Sequence, residues 1–250
     1  MKIAVCVKRV PDMEQRLKVA GDGKSVDEGG LKFDMSDFDL YAVEAALQLK
    51  EKAGQGEVVA ISIGSAAAQE TIRKALSMGA DRGVHLSANS VPADPFVVAT
   101  ALAGELKGGG YDLILFGKMA IDTANHATGP MVAELLDLPC VTAISKLDIA
   151  GNKGTARRDI EGASEMLEFP LPAVLTIDEG LNKARLPSLK GIMGAKKKTI
   201  ESKPATLGEA RLTVTKMELP SERSGGRIVG EGAAAVPELV RLLQTEAKVL

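Results

Sequence analysis

Short apolar segments alternate with segments of amphipathic helical periodicity along the first part of the chain. The apolar segments are rich in β-branched residues; they are Lys2–Val7, Glu57–Ile63, Gly83–Leu86 and Asp112–Phe116, and a fifth begins at Cys140. Continuous apolar strands that are separated by helices are typical of a parallel sheet covered on both faces. The sequence therefore predicts an α/β fold of the doubly wound kind.

Residues typical of helix N-caps stand in front of the helical segments. They are Ser36, Ser65, Asp94 and Thr128. The side chains of serine, threonine and aspartate can accept a hydrogen bond from a free N–H group in the first turn of a helix. Asp94 is also followed by Pro95, which is favoured in that turn. We expect each of the four side chains to cap its helix.

The pattern changes after residue 145. Two alternating segments, Thr155–Ile160 and Glu165–Phe169, precede a last buried segment at Ala173–Ile177. Alternation of apolar and polar residues favours antiparallel strands. These segments predict antiparallel strands added to the parallel sheet.

The last part of the chain offers little core of its own. From Leu181 onward the sequence is basic and loop-like, and only Pro237–Leu250 again has helical periodicity. We therefore expect a doubly wound, mostly parallel Rossmann-like sheet with added antiparallel strands and an extended C-terminal arm. In this interpretation residues 1–200 form one domain, and residues 201–250 form an arm that lies against another surface.

The overall composition narrows the classes of function. The chain has 31 basic and 33 acidic residues, so a net charge of −2 gives no support to nucleic-acid binding. Its apolar runs are far shorter than the roughly 20 residues that cross a bilayer. Cys6 and Cys140 both lie in apolar runs, where a buried free thiol is usual. We expect a soluble, cytoplasmic protein with two buried cysteines.

Four loops are expected to meet at one edge of the sheet. In a doubly wound sheet, ligands bind beyond the carboxyl ends of the strands where the strand order reverses, here between the first and fourth strands. The loops that face this point are Lys8–Val10, Ser36–Asp39, Gly64–Ser65 and Gly117–Thr128. The last loop is long, polar and followed by a helix N-terminus. It is therefore either a phosphate-binding loop or an ordinary surface loop.

Several common catalytic motifs are absent from the sequence. No glycine-rich dinucleotide motif or P-loop follows the first strand, and neither His85 nor His126 has a second metal ligand at a usual spacing. No nucleophile stands beside a base, so we assign no catalytic residue and no metal site. Lys196–Lys198 is either a solvated charged run or a nucleic-acid contact. These absences argue against dehydrogenase, kinase and zinc-enzyme functions.

Seven segments, spread over nearly the whole chain, carry a family resemblance. They are Val5–Asp12, Ala42–Glu51, Gln69–His85, Gly117–Pro130, Arg158–Thr176, Leu171–Asp178 and Leu181–Ile200. Together these segments resemble the beta subunit of electron transfer flavoproteins. One position departs from the family signature, because Ala163 stands where an acidic residue or glycine is usual. The resemblance implies an adenine nucleotide alpha hydrolase-like fold.

The resemblance also implies a function. The chain would pair with an alpha subunit that holds most of a shared FAD, and residues 201–250 would pack on that subunit. The heterodimer would carry electrons from flavin dehydrogenases, such as acyl-CoA dehydrogenases of fatty acid oxidation, to a membrane-bound quinone oxidoreductase. Residues 181–200 would form the partner-recognition loop, in which Leu189 anchors the dehydrogenase. Met13 would lie near the flavin.

By the same resemblance, the beta subunit buries an AMP that takes no part in chemistry. Its contacts, carried over position by position, come from the ends of two strands, the start of the first helix and the long loop. They are Cys6, Ser36, Asp37, Phe38, Asp39, Ile63, Gly117, Lys118, Met119, Ala120, Ile121, Asp122, Thr123, Ala124, Asn125, His126, Ala127 and Thr128.

Two departures from the family pattern bear on this nucleotide. Asp37 stands where proline is frequent and adds a negative charge near the phosphate, and Ala127 replaces an amide in the long loop. Some relatives bifurcate electrons and hold a second FAD in place of AMP. An ATP-using enzyme of similar fold is the other alternative, but it would need a glycine-rich loop where Lys8–Pro11 stands. Identification of the bound nucleotide separates the three.

Overall fold

The computed structural model describes residues 1–222 and 225–250, which form two compact units, Met1–Met217 and Glu218–Leu250. The first unit contains eleven strands in its described residues. In chain order they are β1 (Lys2–Cys6), β2 (Arg9–Pro11), β3 (Phe33–Met35), β4 (Glu57–Gly64), β5 (Arg82–Ser87), β6 (Leu113–Gly117), β7 (Cys140–Ala150), β8 (Lys153–Ile160), β9 (Ala163–Pro170), β10 (Ala173–Ile177) and β11 (Ile200–Pro204).

Nine of these described strands form one sheet, in the order β11-β5-β4-β1-β6-β10-β7-β8-β9. The pairs from β11 to β7 are parallel, and β7, β8 and β9 pair antiparallel. β2 and β3 form a separate antiparallel ribbon. The doubly wound sheet with added antiparallel strands is thus confirmed.

Helices cover both faces of the sheet. In chain order they are α1 (Asp37–Ala53), α2 (Ala68–Met78), α3 (Pro95–Leu106), α4 (Thr128–Leu136) and α5 (Leu189–Ala195). α1 and α2 share one buried cluster with alternate residues of the central strands, including Val5 and Leu115. α3 and α4 share the other cluster, which includes Cys6 and Phe116. Because both faces are covered, the central strands are apolar throughout, and each fully buried large side chain stabilises the fold by roughly 1.5–3 kcal/mol.

The N-cap predictions are right for one residue and wrong for three. Asp94 accepts a hydrogen bond from the N–H group of Phe96 at 2.8 Å, so it caps α3 as expected. Ser36 stands at the N-cap of α1, but its hydroxyl bonds to another loop. α2 begins at Ala68, three residues after Ser65, and Thr128 is already inside α4. Tertiary contacts and longer loops displace the local capping bonds at these positions.

The two cysteines differ in burial. Cys6 is buried and free, as predicted, but the prediction of a buried Cys140 is wrong because this residue is exposed. Successive residues of a strand point to opposite faces of the sheet. Val141 packs in the core, so Cys140, the first residue of β7, points the other way.

The segment after Leu181 is more regular than the sequence indicates. It contains α5 and then β11, which adds to the edge of the sheet as a parallel partner of β5. The buried imidazole of His85 reinforces this pairing, because its Nδ1 lies 3.0 Å from the Ser202 hydroxyl and its Nε2 lies 3.0 Å from the Gly64 carbonyl oxygen. The first unit therefore extends past residue 200 to Met217.

The second unit is small. It contains α6 (Val236–Leu242), which a 3₁₀ turn precedes at Ala233–Ala235 and a wider helical turn continues to Ala247. The prediction of helix over Pro237–Leu250 is therefore right for most of that range. Leu242 is buried, whereas Leu239 on the same helix is exposed.

Candidate functional site

The central strand β1 lies between β4 and β6, so the strand order reverses beside it, as predicted. Three chain segments meet where the first and fourth strands of the parallel core end. They are the residues after β1, the start of α1 and the loop that follows β6. We call this region the crevice; its described contacts involve Lys8, Ser36–Asp39 and Gly117–Asp122.

A single carboxylate joins the three segments. Asp39 is buried, and its two oxygens accept hydrogen bonds from the backbone N–H groups of Lys8, at 2.7 Å, and Gly117, at 3.1 Å. Removal from water raises the pKa of Asp39 to about 7, although these two bonds favour the charged form. Asp39 is thus engaged by the fold, with both oxygens in use.

This carboxylate predicts a pH dependence of stability. The pKa of Asp39 is about 7 in the folded protein, against an ordinary value of about 3.8 in the unfolded chain. Between pH 3.8 and pH 7 the folded state therefore binds more protons than the unfolded state, so the free energy of unfolding falls as the pH rises. Asp39→Asn should remove this dependence, although it loses one of the two hydrogen bonds. We expect the Tm of the wild type to fall more steeply than that of the variant from about pH 5 to pH 7. Parallel slopes in calorimetry would contradict the assignment.

The loop after β6 fits tightly under the start of α1. A Cβ placed on Gly117 would lie 2.5 Å from an Asp39 oxygen and 2.7 Å from the backbone carbon of Phe38, so only glycine fits there. The fully buried Ser36 hydroxyl accepts a bond from the N–H group of Ile121 at 3.3 Å and donates to the Met119 carbonyl at 3.4 Å. These contacts fix the course of residues 117–121.

Two lysines at the crevice are held by ion pairs. The Lys8 ammonium lies 2.8 Å from both oxygens of Asp122, which belongs to the long loop. The Lys118 ammonium lies 2.6 Å from Asp178, just after β10, and 4.6 Å from the centre of the Phe38 ring. Lys8 is absent from the contacts that the family resemblance implies. The topology nevertheless predicted its loop, Lys8–Val10, at this edge of the sheet, and the contact of Lys8 with Asp122, 114 residues away, confirms that placement.

The other predicted contacts are distributed around this centre. Cys6 and Ile63 are buried, each near the end of its strand, and burial together with the Asp39 charge raises the pKa of the Cys6 thiol, which therefore stays protonated. Asp37 is exposed at the start of α1, and residues 123–126 are exposed on the loop. Ala124 and His126 both have positive φ angles, of 48° and 53°. The crevice thus combines an ordered floor with an open, polar loop.

Met13 lies in the excursion between β2 and β3. This segment is held by the ribbon itself and by a bond from the Asp12 N–H group to the Lys32 carbonyl oxygen at 2.9 Å. The Arg9 guanidinium stacks on the Phe33 ring, 3.5 Å from its centre. The Met13 side chain is half-exposed on this support.

Leu189, the predicted partner contact, is the first residue of α5. It is 75% exposed, and Leu186, Ile192 and Met193 beside it are also exposed. Exposed large apolar residues that cluster in this way mark interaction surfaces more often than isolated ones do. We call the part of the chain from Leu186 to Met193 the recognition segment.

Both flanks of the recognition segment are anchored. Arg185 binds Glu44 and Glu51 of α1 with N–O distances of 2.6–3.0 Å. Burial alone would raise the pKa of Glu44, but the hydrogen bonds from Arg185 and Gln48, with the Arg185 charge, together hold that pKa below its usual value. Downstream, the Lys198 ammonium donates to the carbonyl oxygens of Leu76, at 3.1 Å, and Ala80, at 2.5 Å. One lysine of the predicted solvated run is thus a helix cap.

Residues 1–222 and 225–250 contain neither a membrane-spanning helix nor a metal-binding cluster. Among them, no helix is long and apolar enough to cross a membrane. The same residues contain no group of three or more histidine, cysteine, aspartate or glutamate side chains arranged to hold a metal ion.

Comparison with known proteins identifies the family. Residues 24–207 match the family model described as electron transfer flavoprotein domain. The chain is 38% identical over 260 residues to electron transfer flavoprotein subunit beta of Bacillus subtilis (strain 168), with both chains covered completely. It is 40% identical over 250 residues to the subunit of the same name from Bradyrhizobium diazoefficiens, again with complete coverage of both chains.

A third relative comes from Homo sapiens. The chain is 42% identical over 233 residues to its electron transfer flavoprotein subunit beta, an alignment that covers 90% of this chain and 91% of the relative. The region that matches the family model, residues 24–207, includes Ser36–Asp39 and Gly117–Asp122 of the crevice and the whole recognition segment. The chain belongs to the beta-subunit family of electron transfer flavoproteins.

Proposed function

We propose that this chain pairs with an alpha subunit and that the heterodimer carries electrons from a flavin dehydrogenase to a membrane-bound quinone oxidoreductase. The observation that carries the proposal is the family match, which spans both an ordered crevice at the switch point and an exposed apolar recognition segment. The carboxylate and thiol of the crevice serve the fold, since Asp39 is fully bonded and Cys6 stays protonated. We therefore assign to this chain no catalytic side chain of its own.

We place AMP in the crevice. Gly117 lets the loop after β6 pack directly against Asp39 and Phe38 at the start of α1, so the floor of the crevice is ordered before a ligand binds. Cys6 and Ile63 offer buried apolar contacts, and the exposed loop residues 123–126 lead to the positive end of α4. Lys8 and Lys118 place two ammonium groups at the crevice, where each is held by an ion pair, with Asp122 and Asp178 respectively. Bound in this way, AMP stabilises the subunit without reacting.

We assign the shared flavin mainly to the alpha subunit. FAD supplies the redox chemistry when bound, and this chain contributes an apolar cover and keeps water away. Met13 is the side chain we place near that flavin, because a half-exposed thioether can lie on a ring and limit its contact with solvent.

Met13→Glu is expected to lower the flavin potential or to weaken FAD retention, since a carboxylate near the ring disfavours added negative charge. A redox titration and the FAD content of the purified heterodimer measure these effects. Glu14→Gln is a matched control on the exposed neighbour, which should leave both unchanged. A normal potential with normal FAD content in Met13→Glu would show that this loop faces elsewhere.

The second unit is the arm that we expect to pack on the alpha subunit. It exposes several large apolar residues, namely Leu219, Ile228, Val236, Leu239, Val249 and Leu250. An amphipathic helix with an exposed apolar side gains stability by burying it against another surface. This arm therefore offers an apolar contact surface to a partner subunit.

An electron-transfer assay tests the proposed function. The heterodimer is mixed with an acyl-CoA dehydrogenase that has been reduced by its acyl-CoA substrate, and the absorbance of the heterodimer flavin is followed. Rapid bleaching that depends on the dehydrogenase is expected. A flavin that stays oxidised with this and other reduced flavin dehydrogenases would contradict the proposal.

A further inference from the structure

Helix α5, which carries most of the recognition segment, packs against α2 through residues that have little or no side chain. A Cβ on Gly191 would overlap the backbone carbonyl oxygen of Ser77 near the end of α2. Ala195, the last residue of α5, is only 1% exposed. Gly194 lies on the same short helix, but a Cβ there would meet nothing within 4 Å. The height of α5 above α2 is therefore set by the Gly191 contact.

A reciprocal pair of cations joins the ends of the two helices. The Arg73 guanidinium on α2 donates to the carbonyl oxygens of Ala195 and Lys198, the latter at 2.9 Å. Lys198 in turn donates to the carbonyl oxygen of Leu76 in the last turn of α2 and to that of Ala80, just beyond the helix. The final carbonyl groups of a helix lack partners within it, so side-chain donors stabilise them. Arg73 of α2 thus caps the end of α5, and Lys198, three residues after α5, caps the end of α2.

A groove of about 510 Å³ runs beside this contact. It is lined by Gln69 and Arg73 of α2 and, on the other side, by Pro187 and Ile192. At the first turn of α5, the Ser188 hydroxyl accepts a bond from the Gly191 N–H group at 3.0 Å. A helix of seven residues is unstable in isolation, so its contacts with α2 decide its order.

We propose that α2 holds α5 in its partner-binding conformation, with Gly191 and Arg73 as positioning residues for recognition. The inference rests on the proposed function, because it assumes that the outer side of α5 contacts the dehydrogenase. Neither residue needs to touch the partner. Ordering α5 before the encounter removes an entropy cost that binding would otherwise carry, which favours a tight complex from a small apolar contact.

The test compares two glycine substitutions in the complete heterodimer. Gly191→Ala forces α5 away from Ser77 without changing any exposed residue, whereas Gly104→Ala, on α3 and outside the recognition segment, adds the same methyl group in open space. With a reduced acyl-CoA dehydrogenase, we expect Gly191→Ala to raise the KM for the heterodimer by about tenfold. The kcat and FAD content should stay at wild-type values, and Gly104→Ala should be unchanged in all three.

Arg73 provides a second variant, should Gly191→Ala fold poorly. Arg73→Gln removes the cap from the end of α5 and should raise the KM. Arg73→Lys keeps a cation there, so its KM should lie between those of the wild type and Arg73→Gln. Trypsin provides a readout that needs no dehydrogenase. Cleavage after the exposed Lys190 and Lys196 should be faster in Gly191→Ala and Arg73→Gln than in the wild type or Gly104→Ala.

The outcomes separate this inference from the proposed function. If Leu189→Ala weakens transfer while Gly191→Ala and Arg73→Gln match the wild type in KM and cleavage, α2 does not position α5 and the inference is overturned. If transfer is unaffected in every variant, including Leu189→Ala, the assignment of the dehydrogenase contact fails. In that case the trypsin readout still tests the role of α2. Wild-type cleavage rates in Gly191→Ala and Arg73→Gln would overturn the inference, and faster cleavage in these variants would support the role of α2 in ordering α5.

Discussion

Gly117→Ala is expected to reduce the nucleotide content of the purified heterodimer to less than a tenth of the wild-type value. The new methyl group would lie 2.5 Å from an Asp39 oxygen and 2.7 Å from the Phe38 backbone. Since backbone and a buried carboxylate cannot yield as a flexible side chain does, the loop after β6 must move. That movement breaks the bond from the Gly117 N–H group to Asp39, which joins this loop to α1.

A matched glycine substitution provides the control. Gly104 lies inside α3, and a Cβ there would meet nothing within 4 Å. Gly104→Ala should therefore stabilise the protein by about 0.5–1 kcal/mol, because alanine loses less backbone entropy in a helix. The overpacked Gly117→Ala should instead lose about 1–3 kcal/mol. A Gly117→Ala protein with normal nucleotide content and normal Tm would contradict the proposed geometry of the crevice.

Leu189→Ala is expected to slow electron transfer from the dehydrogenase by about ten- to a hundredfold when the carrier is limiting. Burial of one leucine in a partner pocket contributes roughly 1.5–3 kcal/mol, which corresponds to about one to two decades in affinity. Leu189 is 75% exposed and supports no core, so its loss should leave the fold intact. FAD content, AMP content and heterodimer stability should therefore equal those of the wild type.

Met166 offers a comparison for Leu189. It is also a large exposed apolar residue, but it lies on the edge strand β9, outside the recognition segment. Met166→Ala should transfer electrons at the wild-type rate. Equal rates in Leu189→Ala and the wild type would make Leu189 an ordinary surface leucine, and failure of Leu189→Ala to fold would assign it to the core.

The central sheet could be predicted from sequence because its strands are buried on both faces. The continuous apolar runs in β1, β4 and β6 are typical of parallel strands covered on both faces. The loops that follow the carboxyl ends of these strands must then lie at the same edge of the sheet. β11 escaped prediction for the opposite reason. It reads Ile-Glu-Ser-Lys-Pro, lies at the edge of the sheet and has four polar or proline residues, so no apolar pattern marks it.

Local rules failed where distant residues supply the partners. Ser36 has the sequence of an N-cap, but its hydroxyl bonds to residues 119 and 121. Lys8, Asp39 and Gly117 form the centre of the crevice across long sequence separations, and only the strand order brings them together. The family resemblance indicated Asp39 and Gly117 without showing that one holds the other. The bond from Lys198 to the Leu76 carbonyl oxygen, in the last turn of α2, was equally invisible in a run of three lysines.

The nucleotide content of the purified heterodimer tests the central claim most directly. Heat release followed by chromatography identifies and counts the bound nucleotides, and incubation with ATP before release shows whether any is consumed. The account predicts one AMP and one FAD for each heterodimer, with AMP unchanged after electron transfer. Two FAD molecules without AMP would instead indicate a bifurcating flavoprotein, and turnover of ATP or the lack of any retained nucleotide would contradict a structural AMP.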